Sequence, residues 1–303
     1  MKLTYFEGDP PNFGDELNAW IWDALLPPGF LDTDADTLFL GIGSIIQDIY
    51  PANATKVVVG SGFAGAYSAL PDVRDGTWDF RFVRGPETCR KLGLEPGLAI
   101  TDAAILLRAV DLPDPATGIG VAFIPHYESV ERGNWKAVCD LAGVHFIDPT
   151  RPSRDVLAEL RGADLVICEA MHGAIVSDAM RTPWIGVQTM HHVHRGKWFD
   201  WAASLGSEYR PHKLAPSFGR EFCAEHTGRW GSGPRARAVF GSRAFAPVDT
   251  AIRHASAASL RKLAKMEPQL SSDLAIETAT QKAVAAVDGL VRDYAPRQSA
   301  SRA

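Results

Sequence analysis

A chain of 303 residues, 46% hydrophobic and 22% charged, has enough material for two folded domains and an ordinary soluble composition. Its formal net charge of −5 argues against general nucleic-acid binding, which draws on a basic excess. Cys89, Cys139, Cys168 and Cys223 form no CxxC pair and no zinc-ligand spacing, so reduced thiols, a cytoplasmic setting and no metal centre are expected.

Met1–Phe6 reads as a short strand, without the basic and apolar regions of a signal peptide. No apolar run reaches the roughly 18 residues of a membrane span, so any membrane contact is expected to be peripheral. Leu3–Phe6 is the first predicted strand. Asn12-Phe13-Gly14-Asp15 then turns the chain into a helix with Leu17, Trp20, Ile21, Ala24 and Leu25 on one face, ended by Pro27-Pro28. Strands are predicted at 37–40, 57–59 and 80–83, the last running into Arg84-Gly85-Pro86 and a helix to Leu92. The Pro/Gly/Asp cluster at 111–118 is the predicted linker. A second alternating series follows, with strands at 120–124, 144–147, 165–168 and 184–187 and helices at 135–141, 156–160 and 174–180. From Lys197 the pattern turns helical and irregular, with helices expected at 251–265 and 274–294 and a frayed tail after Ala295. The expected fold is therefore α/β, with two Rossmann-like halves facing a cleft. The expected domains are an N-terminal one at 1–112, a second at 113–250, and C-terminal helices at 251–303.

Strand ends are where such folds keep their chemistry. Gly60-Ser-Gly-Phe-Ala-Gly65 fits GxGxxG, but Pro71 leaves little room for the helix a dinucleotide site requires. A tight turn or a backbone-lined ligand wall is the better reading. Gly41-Ile-Gly-Ser44 is a second glycine turn able to offer N–H groups to an anion. Arg84, where a strand meets a helix, suits a phosphate or carboxylate. His126 ends the strand before it, and Glu169 and His172 occupy the junction after Leu165–Cys168, with Gly173 following. His191-His192-Val193-His194 matches no standard zinc spacing and reads as a polar loop beside Arg195 and Lys197. Trp198 and Trp201 carry two readings, a sugar platform or core aromatics.

Taken in order, Asn12-Phe-Gly-Asp15, Gly41-Ile-Gly-Ser44, Val83-Arg84-Gly85-Pro86 and the block Glu169–Val187 resemble the polysaccharide pyruvyltransferase family, especially its bacterial exopolysaccharide ketalases of the succinoglycan type. The resemblance covers roughly residues 5 to 190. It implies a glycosyltransferase-B-like fold and the transfer of a pyruvate ketal to a sugar of an exopolysaccharide, or of its lipid-linked precursor. Phosphoenolpyruvate would be the donor, with no further cofactor. Where many members have Arg-Leu-His, this chain has Ala170-Met171-His172. The histidine carries over and the arginine does not, so another cation (Arg84, His126, Arg181, or the Arg195/Lys197 loop) must balance the donor.

The roles that follow are His172 as acid/base, with Glu169 and Asp15 near the acceptor hydroxyls as further catalytic groups. Arg84, His126, Gly43, Ser44 and Gly173 line the donor, and Asn12 and Trp198 the acceptor. The expected setting is cytoplasmic, extending to the inner face of the membrane where the acceptor is lipid-linked. Two rival readings share these residues: a nucleotide-sugar glycosyltransferase, kept open by Glu169, and a non-catalytic carbohydrate-binding module, motivated by Ala170.

Overall fold

The computed structural model describes residues 1–63, 65, 68–188, 195–227 and 238–300. The histidine run at 191–194 lies outside the described residues. Contacts divide the chain into two compact units, Met1–Leu112 with His194–Tyr209 and Ser271–Ala303, and Pro113–Val193 with Arg210–Leu270. The chain is α/β, with one parallel sheet in each unit.

In the first unit β1 (Lys2–Thr4), β2 (Thr37–Leu40), β3 (Thr55–Val59) and β4 (Trp78–Phe82) lie in sequential order, all parallel. β1 stops at Thr4, short of the predicted Phe6, because its partner β2 ends opposite it at Leu40. Helix α1 (Phe13–Glu16) leads into α2 (Asn18–Leu25). Trp22 of α2 packs edge-on against Phe39, with ring centroids 4.7 Å apart. α2 ends because Pro27 forces the residue before it out of helical geometry, and Leu26 is extended, at φ −113° and ψ 150°. Leu38, Leu40, Ile45, Ile46, Val58, Val83 and Leu92 form a buried core, each such side chain contributing about 1.5–3 kcal/mol. Helix α3 (Pro86–Leu92) opens on the predicted proline and closes on left-handed Gly93.

Ala103–Ala109 form a 3₁₀ helix with all but its last two residues buried, capped by Asp102, which accepts the Ala104 N–H at 3.0 Å.

The second unit contains β5 (Ile119–Ile124), α4 (Tyr127–Arg132), α5 (Trp135–Ala142), β6 (His145–Phe146), α6 (Ser153–Gly162), β7 (Ala163–Cys168), α7 (Met171–Ala179) and β8 (Trp184–Gln188). Its sheet runs β6-β5-β7-β8-β9, where β9 is His212–Lys213. This 2-1-3-4-5 order reverses between β5 and β7, and the carboxyl ends of strands at such a reversal are where open α/β sheets bind their ligands. Ile124 lies opposite Cys168, so both strands leave the sheet at one level. Phe123, Trp135, Val138, Ile167 and Ile185 form the core with Leu260 and Leu263.

Elements that were not predicted individually include α4, α8 (Arg195–Ser204), α9 (Gly219–Thr227) and β9. The two C-terminal helices do not form a unit of their own. α10 (Ala246–Leu263) joins the second unit, and α11 (Asp273–Ala300) joins the first. There α11 meets the 3₁₀ helix and β4, through Thr280 Oγ1 accepting from Arg108 Nε at 3.0 Å and Tyr294 donating to Asp79 at 2.8 Å. Among the described residues no helix is long and apolar enough to cross a membrane.

Candidate functional site

In the first unit the loops leaving β2, β3 and β4 are laced together by their own backbone. Gly62 N–H donates to Gly43 O at 2.9 Å and Arg84 N–H to Ser61 O at 3.0 Å. Asn18, buried on α2, donates to Ile42 O and accepts from Ile42 N–H, both at 2.9 Å, which docks the Gly41–Ser44 turn against the helix. Ser61 Oγ donates to Leu40 O at 3.1 Å and also reaches Gly41 O. Asn12 does not use its side chain to cap α1; its Nδ2 donates to Asp15 Oδ2 at 2.7 Å instead. The other Asp15 oxygen lies beside Gly43, where a Cβ would be 3.3 Å from it. Burial pushes the Asp15 carboxyl up to about 6, against the pull of Asn12 and Lys197, and the charge of Asp102 adds to the rise. Asp102 is also raised by burial to about 6, opposed by its Ala104 N–H bond, Arg84 and Lys197. Two carboxyl groups that hold or release a proton near neutrality thus share these strand ends with a half-buried lysine.

Arg84 is 1% exposed, and its guanidinium is held on two sides. Nη1 donates to Ser44 Oγ at 2.7 Å and Nε faces Asp200 Oδ2 at 3.4 Å. Asp200, on α8, also accepts from Glu87 N–H at 2.8 Å, Thr88 N–H at 3.1 Å and Thr88 Oγ1 at 2.6 Å. Two N–H groups at the start of α3 are therefore met by the chain's own carboxylate. No local motif marks Asp200, which lies between Trp198 and Trp201 on a helix the sequence pattern left irregular. Trp198 is 5% exposed and stacked on Tyr209, with centroids 4.6 Å apart. That corrects its reading as a sugar platform: the ring is a core ring.

In the second unit His126 follows β5, and Glu169 and His172 follow β7, at the two strand ends that flank the reversal in strand order. Glu169 joins them. Its Oε2 accepts the His126 N–H at 2.9 Å and its Oε1 accepts Ser129 Oγ at 3.1 Å, so the carboxylate fixes the start of α4. His126 Nδ1 lies 3.6 Å from Glu128 Oε2, which pairs with Arg132 at 2.8 Å. His172 occupies the first turn of α7 and is half-buried, while the rest of that helix is buried to Ala179. Gly173 serves packing, because a Cβ there would stand 2.6 Å from Ile124 Cγ2. Arg181 sits at the far end of α7 beside Asp178, at 3.4 Å, so the helix separates it from His172. Glu221 lies beneath this region, 5% exposed, accepting from Trp135 Nε1 at 3.1 Å and Ser217 Oγ at 2.6 Å. Burial pushes it up to about 7; its Ser217 bond opposes the rise and the Glu169 charge adds to it. Among the described residues no three His, Cys, Asp or Glu side chains gather as a metal-binding group.

Residues 11–191 match the polysaccharide pyruvyl transferase family. The succinoglycan biosynthesis protein ExoV of Rhizobium meliloti (strain 1021) is 37% identical, in an alignment covering 97% of this chain and all of that protein. No solved structure matches the chain. The matched segment contains both strand-end clusters except α8. The chain is a member of the polysaccharide pyruvyl transferase family and a pyruvyltransferase enzyme.

Proposed function

We propose that the protein transfers the pyruvyl group of phosphoenolpyruvate to a sugar of an exopolysaccharide, closing a ketal across two hydroxyls and releasing phosphate. The observation that carries this reading is the grouping of His126, Glu169 and His172 at the strand-order reversal, within the segment that matches the family. The name of the succinoglycan relative supports an exopolysaccharide acceptor.

The donor carries a phosphate and a carboxylate, and the chemistry needs one proton delivered to its methylene carbon and one removed from each attacking hydroxyl. His172 is the acid/base group in this proposal, half-buried and so accessible at a helix start. Asp15, with its carboxyl near 6, removes a hydroxyl proton and Asn12 aligns it. Arg84, through Nη2, and Lys197 hold the donor anion beside Gly43 and Ser44. Glu169 acts by holding His126, since both its oxygens accept bonds from the α4 start. That engagement weakens the ribose-binding role a nucleotide-sugar transferase would give it. A glycosyltransferase-B-like fold belongs to the same proposal, supported by two separate parallel α/β units. A cytoplasmic setting does too, supported by four free thiols.

Incubation with phosphoenolpyruvate and a panel of free and lipid-linked oligosaccharides tests the reading. A mass gain of one pyruvate less one water, with equimolar phosphate, is expected. Nucleotide release from sugar nucleotides, with phosphoenolpyruvate left untouched, would overturn it.

A further inference from the structure

We propose that Asp200 is a positioning residue for the transfer reaction, acting through Arg84 to hold one guanidinium arm ready for the donor anion. The inference rests on the reading that Arg84 meets the donor. Asp200 is 3% exposed and its carboxylate is fixed by the Glu87 N–H, the Thr88 N–H and the Thr88 hydroxyl. Its backbone is fixed as well, because a Cβ at Gly85 would lie 2.1 Å from Asp200 O. A carboxylate so held is a rigid anchor for Arg84 Nε at 3.4 Å.

Ser44 holds Nη1 at 2.7 Å, so two of the three guanidinium nitrogens are tied. Nη2 has no hydrogen-bond partner among the described residues. Gly62 gives the guanidinium its place: a Cβ there would stand 2.1 Å from Cζ and 2.3 Å from Nη2. A buried arginine that served only as a staple would be expected to satisfy all its N–H groups, as buried polar groups nearly always do. One arm left over at the carboxyl ends of β2, β3 and β4 is the arrangement of an anchored anion-binding fork. The anchor comes from outside the family-matched segment, which ends at residue 191.

The test is steady-state kinetics of the whole chain with phosphoenolpyruvate and a competent oligosaccharide. Asp200→Asn keeps the side-chain size and an acceptor for the α3 N–H groups, and removes the charge that orients Nε. It should raise the donor KM about ten- to a hundredfold, the scale of an ångström-level misplacement, with kcat and acceptor KM within about twofold. If that variant does not fold, Thr88→Val, which removes the hydroxyl holding Asp200 Oδ2, carries the same expectation. An unchanged donor KM in a folded variant overturns the proposal, as does an equal loss in kcat and both KM values, the mark of a merely structural role. Arg84→Gln separates the two levels. If it leaves the donor KM unaltered, the reading of Arg84 is what fails; if it raises the donor KM while Asp200→Asn does not, Asp200 alone is misassigned.

Discussion

The burial that lifts the Asp15 carboxyl to about 6 also makes its ionised form unfavourable to the fold. Its ordinary value is 3.8, so between about pH 4 and 6 the folded state keeps a proton that the unfolded chain has released. Stability from this group therefore falls as pH rises through that window and stays flat above it. Asp15→Asn is expected to be more stable than the wild type at pH 7.5, by at most about 3 kcal/mol, with the difference gone at pH 4. Urea unfolding at the two pH values checks this. In the proposed role the same variant should lose the rise of kcat/KM centred near pH 6, in a pH–rate profile. His172→Gln should lower kcat about 10²–10⁴-fold with little change in melting temperature, because the side chain is half-buried rather than core. The strand-end positions of His126, Glu169 and His172 were legible in the sequence because a strand followed by a turn and a helix locates a strand end without any long-range knowledge. Asp200 was not, since it meets Arg84 across 116 residues and nothing local marks it. Trp198 shows the opposite limit: spacing located the aromatic residue but not whether its face was open.

Glu169 ties two elements of the second unit, with the turn after β7 supplying the group that starts α4. Glu169→Ala leaves the His126 N–H and the Ser129 hydroxyl without that acceptor. Faster amide hydrogen exchange confined to residues 126–129 is expected, with the β5 amides still protected. Gly173 ties α7 to β5 by close approach, so Gly173→Ala should overpack Ile124 and cost about 1–3 kcal/mol, read by thermal melting. The long strands and helices were legible because their apolar periodicity reflects the faces they bury. The six-residue α4 and the two-residue β9 were not, because their existence depends on a distant carboxylate and on the neighbouring strand β8. Ala103–Ala109 carried no helical period in the sequence, and the side chain of Asp102 caps its start.

The chain passes from one unit to the other after residues 112, 193, 209 and 270. Composition marks the first crossing, because Pro, Gly and Asp cluster there. The later ones carry no such mark, so the return of α8 and α11 to the first unit was beyond a linear reading. Leu290 on α11 is fully buried in that unit. Leu290→Ala should destabilise it by about 2–5 kcal/mol and loosen exchange in Ala103–Ala109 and β4, while the β7 amides keep their protection. The place of α8 also bears on how such enzymes can be recombined. A graft that carries only residues 11–191 into another scaffold brings Arg84 without its counter-ion, and a buried charge deprived of its partner typically destabilises a protein by about 3–5 kcal/mol. The exchangeable cassette is therefore discontinuous: it must include the helix that returns after the matched segment, or supply another acid in its place.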